Sequence, residues 1–287
     1  MARRRPPSTH GLAVVDKPAG VTSHDVVGML RKRFGERQVG HAGTLDPDAT
    51  GVLLVGVGKA TRLLRFLTAL GKTYTGEVVL GTSTSTLDAA GDAVASFDMS
   101  AVTVEMARRV AADHLTGHIM QVPPMVSAIR VGGQRLHELA RAGIEVDRQP
   151  RPVTIHSFDL DATDDPSVLR IEVRCSSGTY IRSLADDLGR LLGGGAHLRN
   201  LRRTAVGSFV EDEALPPSEC GLMSPLEALR DYQRVTVAND VADMVRHGSP
   251  LQRFDGDGPW AVTDDAGNLL AVYEPFGAGA KPAVVIV

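Results

Sequence analysis

Asp46, in the stretch GHAGTLDPDATGVLLVG from Gly40 to Gly56, is an acid set in a turn directly before an apolar run. Pro47 removes a backbone donor and pushes Asp46 towards extended geometry, and Gly43, Thr44 and Asp48 are turn formers, so Asp46 is expected on a loop. A carboxylate there can serve as a nucleophile or simply cap the turn. A second group of interest is Arg182, in CSSGTYIRSLADDLGRLLGGG. It falls in the first turn of a predicted helix, where the helix dipole disfavours a cation, so some other group must hold it. Tyr180 precedes it, Tyr74 falls on a predicted strand, and Asp88 is the carboxylate of the polar loop Thr82 to Asp92.

The elements that must position these residues follow from periodicity and punctuation. GLAVVDKP reads as a strand running into a turn that contains Lys17 and Pro18, and Thr22 or Ser23 caps a helix through about Phe34, closed by Gly35. VLLVGV reads as a buried strand anchoring the Asp46 loop. KATRLLRFLTAL is predicted helical, Lys72 to Gly81 alternates as a half-buried strand, and Thr103 to Leu115 is a capped helix. Residues 121–152 crowd prolines, glycines and arginines around one short helical pattern and read as a mobile insertion. Two strands, Val153 to Leu160 and Val168 to Cys175, precede the Arg182 helix. Beyond about Leu222, the runs VTV, WAVTDD, LLAVYE and AVVIV around a helical pattern at Asn239 to His247 predict a small β-rich domain.

A chain of 287 residues is too long for one minimal core, and its 43% hydrophobic and 23% charged composition is that of an ordinary globular protein. Cys175 and Cys220 have neither metal-ligand spacing nor a disulfide pattern, no cofactor motif is present, and no apolar run is long enough to cross a membrane. A cytoplasmic protein with reduced thiols, no metal and no cofactor is expected. The net charge of -3 is unevenly spread. From Ala49 to Gly76 there are no acids but Lys59, Arg62, Arg65 and Lys72, and from Gly189 to Thr204 no acids but Arg190, Arg199, Arg202 and Arg203. Residues 231–287 hold eight acids and four bases, a net -4. Local basic stripes on a nearly neutral body suit a specific RNA partner, although each stripe alone is also compatible with a solvated face.

The Gly40 to Gly56 segment resembles the catalytic motif of the pseudouridine synthases of the bacterial TruB type, which act on tRNA uridine 55. The resemblance continues, in the family's order, through VDKPAGVTSHDVV, KTYTGEVVLG, HELARAG, CSSGTYIRSLADDLG and AHLRNLRRTAVGSF, over roughly the first 210 residues. It implies an α+β pseudouridine-synthase fold: a mixed, mainly antiparallel central sheet flanked by helices and loops, with a small PUA-like β-rich C-terminal domain. The implied organisation is a basic tail over 1–10, a catalytic domain over 11–230 with a thumb-like insertion at about 121–152, and a C-terminal domain over 231–287. The implied roles are Asp46 as nucleophile, Arg182 as the cation that pairs with it and keeps it ionised, and Tyr74 for stacking on the base and proton transfer. His41 helps hold displaced nucleotides, and Tyr180, Leu201 and Asp88 bind substrate. Lys17 and Pro18 support the loop, while Lys59, Arg62, Arg199, Arg202 and Arg203 contact RNA phosphates. The sequence departs from the family pattern at Ser85, Leu87 and His137.

The implied reaction isomerises uridine in the T stem-loop of tRNA: the N-glycosidic bond breaks, the uracil turns and a carbon–carbon bond forms on a flipped-out nucleotide. The implied protein is a monomer with no obligate protein partner. Because the motif residues all precede residue 230, a chain ending near Arg230 is expected to keep the chemistry. Two rivals fit parts of the pattern: a glycoside-type hydrolase using Asp46 and Asp88, and a non-catalytic RNA chaperone using the basic stripes.

Overall fold

The computed structural model describes residues 8–127, 130–131, 134–135, 144 and 146–286. His137, tail residues 1–7 and much of the 121–152 insertion lie outside the described residues. The chain opens with β1 (Gly11–Lys17), α1 (Ser23–Phe34), β2 (Val39–Ala42) and β3 (Thr50–Val57), then a 3-10 turn at Gly58–Leu63 that leads into α2 (Leu64–Ala69). There follow β4 (Lys72–Leu80), β5 (Thr82–Thr84), β6 (Ala93–Ser96), α3 (Val104–His114) and β7 (Gly117–Gln121). Two short strands, β8 (Arg130–Val131) and β9 (Gln134–Arg135), precede β10 (Arg151–Ala162), β11 (Val168–Cys175), α4 (Ile181–Leu191), β12 (Ala196–Val206) and β13 (Phe209–Val210). The C-terminal part contains β14 (Gln233–Thr236), α5 (Asn239–Arg246), β15 (Leu251–Gln252), β16 (Trp260–Thr263), β17 (Leu269–Phe276) and β18 (Gly279–Val285).

The fold class is α+β, and by packing the chain forms two compact units, one of 1–70 with 205–287 and the other of 71–204. The reason is visible in the first unit's core. β3 pairs antiparallel with both β1 and β2, and its run of apolar residues is buried on both faces. On one face Ala13, Val15, Leu53 and Val55 pack against Val26, Val27 and Leu30 of α1. On the other, Leu12, Val14, Val52 and Leu54 share a cluster with Ala261, Val272 and Val284 from the C-terminal five-stranded sheet, ordered β14-β16-β17-β18-β15, and with Ile286 just beyond it. The C-terminal β module thus completes the core on which the Asp46 loop is built. Polar contacts reinforce the join: the Tyr232 hydroxyl donates to the Phe66 carbonyl at 2.7 Å, and Arg65 pairs with Glu274 at 2.7 Å.

In the second unit the strand order is β12-β4-β11-β10-β7, and β4–β11, β11–β10 and β10–β7 are antiparallel. The alternation read in Lys72 to Gly81 is real: every second residue of β4 from Lys72 to Leu80 is buried. Helix α3 lies along β10, where Arg108 donates to the Leu160 carbonyl at 2.7 Å and pairs with Asp161 at 2.8 Å. The loop expected from Thr82 to Asp92 turns out to begin and end in a small hairpin, β5 with β6.

Candidate active site

In the first unit, Asp46 sits half-buried in a turn whose peptides are fixed on both sides. Upstream, the Ser23 hydroxyl accepts the Leu45 N–H at 2.9 Å and donates to the Leu45 carbonyl at 3.1 Å. Downstream, the Pro47 carbonyl accepts the Gly20 N–H at 3.0 Å and the Lys17 ammonium at 2.8 Å. The Ala49 N–H closes the turn on the Asp46 carbonyl at 3.2 Å. Lys17 is fully buried and also donates to the carbonyls of Pro18 at 2.8 Å and Val21 at 2.7 Å. Its charge serves as a three-way tie for backbone, which accords with a supporting role. The two capping candidates separate here: Thr22 is the N-cap of α1, with a capping box to Asp25, and Ser23 is free to hold Leu45. Sequence reading missed that second task because a serine beside a threonine cap carries no sign of a partner 22 residues away. His41 lies on β2, paired with Val55, and is half-buried.

In the second unit, Tyr74 is buried on β4 opposite Val173. Gly76, on the same face, lets β12 come close, with Leu198 and Leu201 lying where its side chain would point. Arg182 is 5% exposed in α4. Its guanidinium donates to the carbonyls of Thr86 at 2.9 Å and Val126 at 2.8 Å and stands 3.5 Å from the Asp88 carboxylate. Asp88 is itself fixed, accepting from the Ala90 N–H at 3.1 Å and from the Thr86 hydroxyl. Leu87 adopts φ 64°, a left-handed conformation unfavourable for leucine. Tyr180, half-buried, is held through its peptide by Gln121.

The basic stripes are reshaped. Arg203 is 1% exposed and presents no surface to a phosphate, which corrects its reading as a backbone contact. The segment is a strand, so Arg202 and Arg203 point to opposite faces and Arg203 shares the inward side with Leu201. Arg199 pairs with Glu77 at 2.6 Å, and Arg190 is neutralised by Asp186 and Asp187 of its own helix. Arg62 donates to the Val285 carbonyl, which ties it to the C-terminal module. The half-buried Lys59 has its backbone N–H on the His10 ring at 3.2 Å. Lys72, one of the first stripe's cations, is only 7% exposed, and burial, reinforced by the Arg203 charge, pulls its ammonium down to about 8. Opposite it on β11, burial pushes the Cys175 thiol up to about 11. Among the described residues no group of three or more potential metal ligands is found.

Residues 31–181 match the N-terminal domain of the TruB family of pseudouridylate synthases, residues 182–245 a tRNA pseudouridylate synthase B C-terminal domain, and residues 232–287 a tRNA pseudouridine synthase II C-terminal domain. The chain is 46% identical to tRNA pseudouridine synthase B of Arthrobacter sp., covering 96% of each protein. It is 47% identical to the protein of that name from Corynebacterium aurimucosum, covering 93% of each. Among solved structures it resembles a chain of a Cbf5-Nop10-Gar1 complex with a TM-score of 0.74 and 25% identity, over 96% of this chain and 85% of that one.

Proposed function

Because the chain belongs to the TruB family of pseudouridylate synthases, we propose that it isomerises uridine to pseudouridine at position 55 in the T loop of tRNA, with Asp46 as nucleophile on a flipped-out base. The observation that carries the reading is the Asp46 turn, where both flanking peptides are fixed by buried donors and acceptors, so that one carboxylate is presented in a defined place. A preorganised nucleophile needs this kind of support. In this reading Arg182 pairs with Asp46 and keeps it ionised, Tyr74 stacks on the base and takes part in proton transfer, and His41, Tyr180, Leu201 and Asp88 shape the substrate site. Lys59, Arg62, Arg199 and Arg202 are the phosphate contacts. The enzyme works as a cytoplasmic monomer.

The reaction exchanges one bond of the uracil for another and needs neither redox equivalent nor external energy. Its test is release of tritium from full-length tRNA transcript labelled at uridine C5, with Asp46→Asn alongside. Label released by the wild type without strand cleavage or free uracil, and abolished in Asp46→Asn at unchanged tRNA affinity, is the expected result. Free uracil would point to a hydrolase, and binding without either product to a chaperone.

A further inference from the structure

Gln121 ends β7 and is 2% exposed. A buried side-chain amide must place its donors and its acceptor internally, and this one meets both backbone groups of a single residue 59 positions away: Oε1 accepts the Tyr180 N–H at 2.8 Å, and Nε2 donates to the Tyr180 carbonyl at 3.0 Å. Tyr180 is the N-cap of α4, yet its side chain makes no capping bond and the first turn contains no acid. Gln121 therefore does across the unit what the third residue of a helix does in a capping box, satisfying the N-cap N–H. The residue that actually occupies that third position, Ser183, instead donates to the Val122 carbonyl at 3.0 Å. Together with the bond from Arg182 to Val126, three of the first four residues of the α4 start are tied to 121–126. Gln121 is also where the insertion begins, directly opposite Arg151 at its far end.

We propose that Gln121 is a positioning residue for the isomerisation: by clamping the Tyr180 backbone on both sides of its Cα it fixes the direction in which Tyr180 leaves the helix and the place from which Arg182 extends. This rests on the function proposed above, in which those two residues belong to the substrate site. Displacing such a pair by about 1 Å is enough to cost up to ~100-fold in rate while leaving the remote contacts that give affinity.

Two full-length variants test it, by single-turnover pseudouridine formation on tRNA transcript, with tRNA affinity and thermal midpoint measured for each. Gln121→Met keeps the length and removes both bonds, and its rate should fall about 10- to 100-fold with affinity within about threefold. Gln121→Glu keeps an acceptor for the Tyr180 N–H but sets a carboxylate against the Tyr180 carbonyl. When protonated it regains the donor, and burial raises the pH at which it does so. Its rate relative to wild type should therefore rise as pH falls from about 8 to about 5.5. A purely structural glutamine would not give acid rescue of rate at constant affinity. Rates within twofold of wild type in both variants, losses that track affinity, or a Gln121→Glu ratio flat with pH would overturn the role. Should Gln121→Met fail to fold, the pH ratio of Gln121→Glu decides alone. A wild type that forms no pseudouridine overturns the function itself, whereas an active wild type with indifferent variants overturns only the clamp.

Discussion

The Lys17 ammonium donates to the Pro47 carbonyl across 2.8 Å, linking the end of β1 to the peptide that follows Asp46. Lys17→Met keeps the volume but leaves the carbonyls of Pro18, Val21 and Pro47 without their ammonium donor. Each bond to a charged group contributes about 1.5–3 kcal/mol, and release from the cost of burying the ammonium offsets part of the three, so a loss of about 3 kcal/mol or more in urea denaturation is expected. Turnover should fall more than tRNA affinity, because the turn of the proposed nucleophile loosens while the proposed RNA contacts are untouched. An unchanged midpoint would show that the tie contributes little.

Arg182 illustrates a second kind of dependence. It reaches the Thr86 and Val126 carbonyls and the Asp88 carboxylate with one planar fork, and lysine offers a single point charge in its place. Arg182→Lys is expected to lower single-turnover rate about 100-fold or more with affinity within a few fold. Retention of more than a tenth of the wild-type rate would mean that charge alone suffices.

Two buried groups on adjacent strands oppose each other in pH dependence. Lys72 titrates at about 8 in the folded chain against roughly 10.4 unfolded. Between those values the unfolded chain binds more protons, so stability rises with pH, and below about 8 this contribution is constant. Cys175 titrates at about 11 folded against roughly 8.5 unfolded. There the folded chain binds more protons, and stability falls as pH rises through that window. The two slopes overlap and offset in the wild type. Cys175→Ala should expose the Lys72 slope, a urea midpoint that climbs from about pH 8 to 10, and adding Lys72→Met should flatten it. A flat Cys175→Ala profile would rule the Lys72 contribution out.

Removal of residues 231–287 has a different expected outcome from the one the motif positions suggest. The deletion strips Ala261, Val272, Val284 and Ile286 from the cluster that covers Leu12, Val14, Val52 and Leu54. It also removes the Tyr232 bond to Phe66 and the partner of Arg65. Large apolar surface left bare on the Asp46-bearing sheet destabilises it and invites aggregation. A chain ending near Arg230 is therefore expected to bind a hydrophobic dye, melt without a cooperative transition and lose conversion of a T-arm stem-loop. A cooperative melt and wild-type turnover would restore the view of the C-terminal domain as an accessory.

Much of this was legible in the sequence wherever local chemistry dictates geometry. Thr22 with Asp25, and Gly35 at φ 62°, bound α1 as the caps predict, the apolar run of β3 is buried on both faces as read, and the Gly- and Pro-rich surroundings of Asp46 do form a turn. What escaped was non-local. HLRNLRRTAV looked like a cationic stripe because its arginines cluster in sequence, but as a strand it turns Arg203 inward and gives Arg199 to Glu77. Gln121 and Ser23 gave no signal, since each meets a backbone group far along the chain. The union of the N- and C-terminal segments was equally hidden, because β1 and β3 show only that both their faces are apolar, not what covers them.

That union sets an order of events during synthesis. At ~5–20 residues per second on the ribosome, residues 71–204 can emerge and fold as a unit while the first 70 residues still lack the C-terminal members of one of their two clusters. For about ten seconds or longer the nascent chain holds the apolar strands beside Asp46 uncovered, as a client for any holdase nearby. The scaffold of the Asp46 turn is completed only by strands translated long after it, so that turn settles late in synthesis.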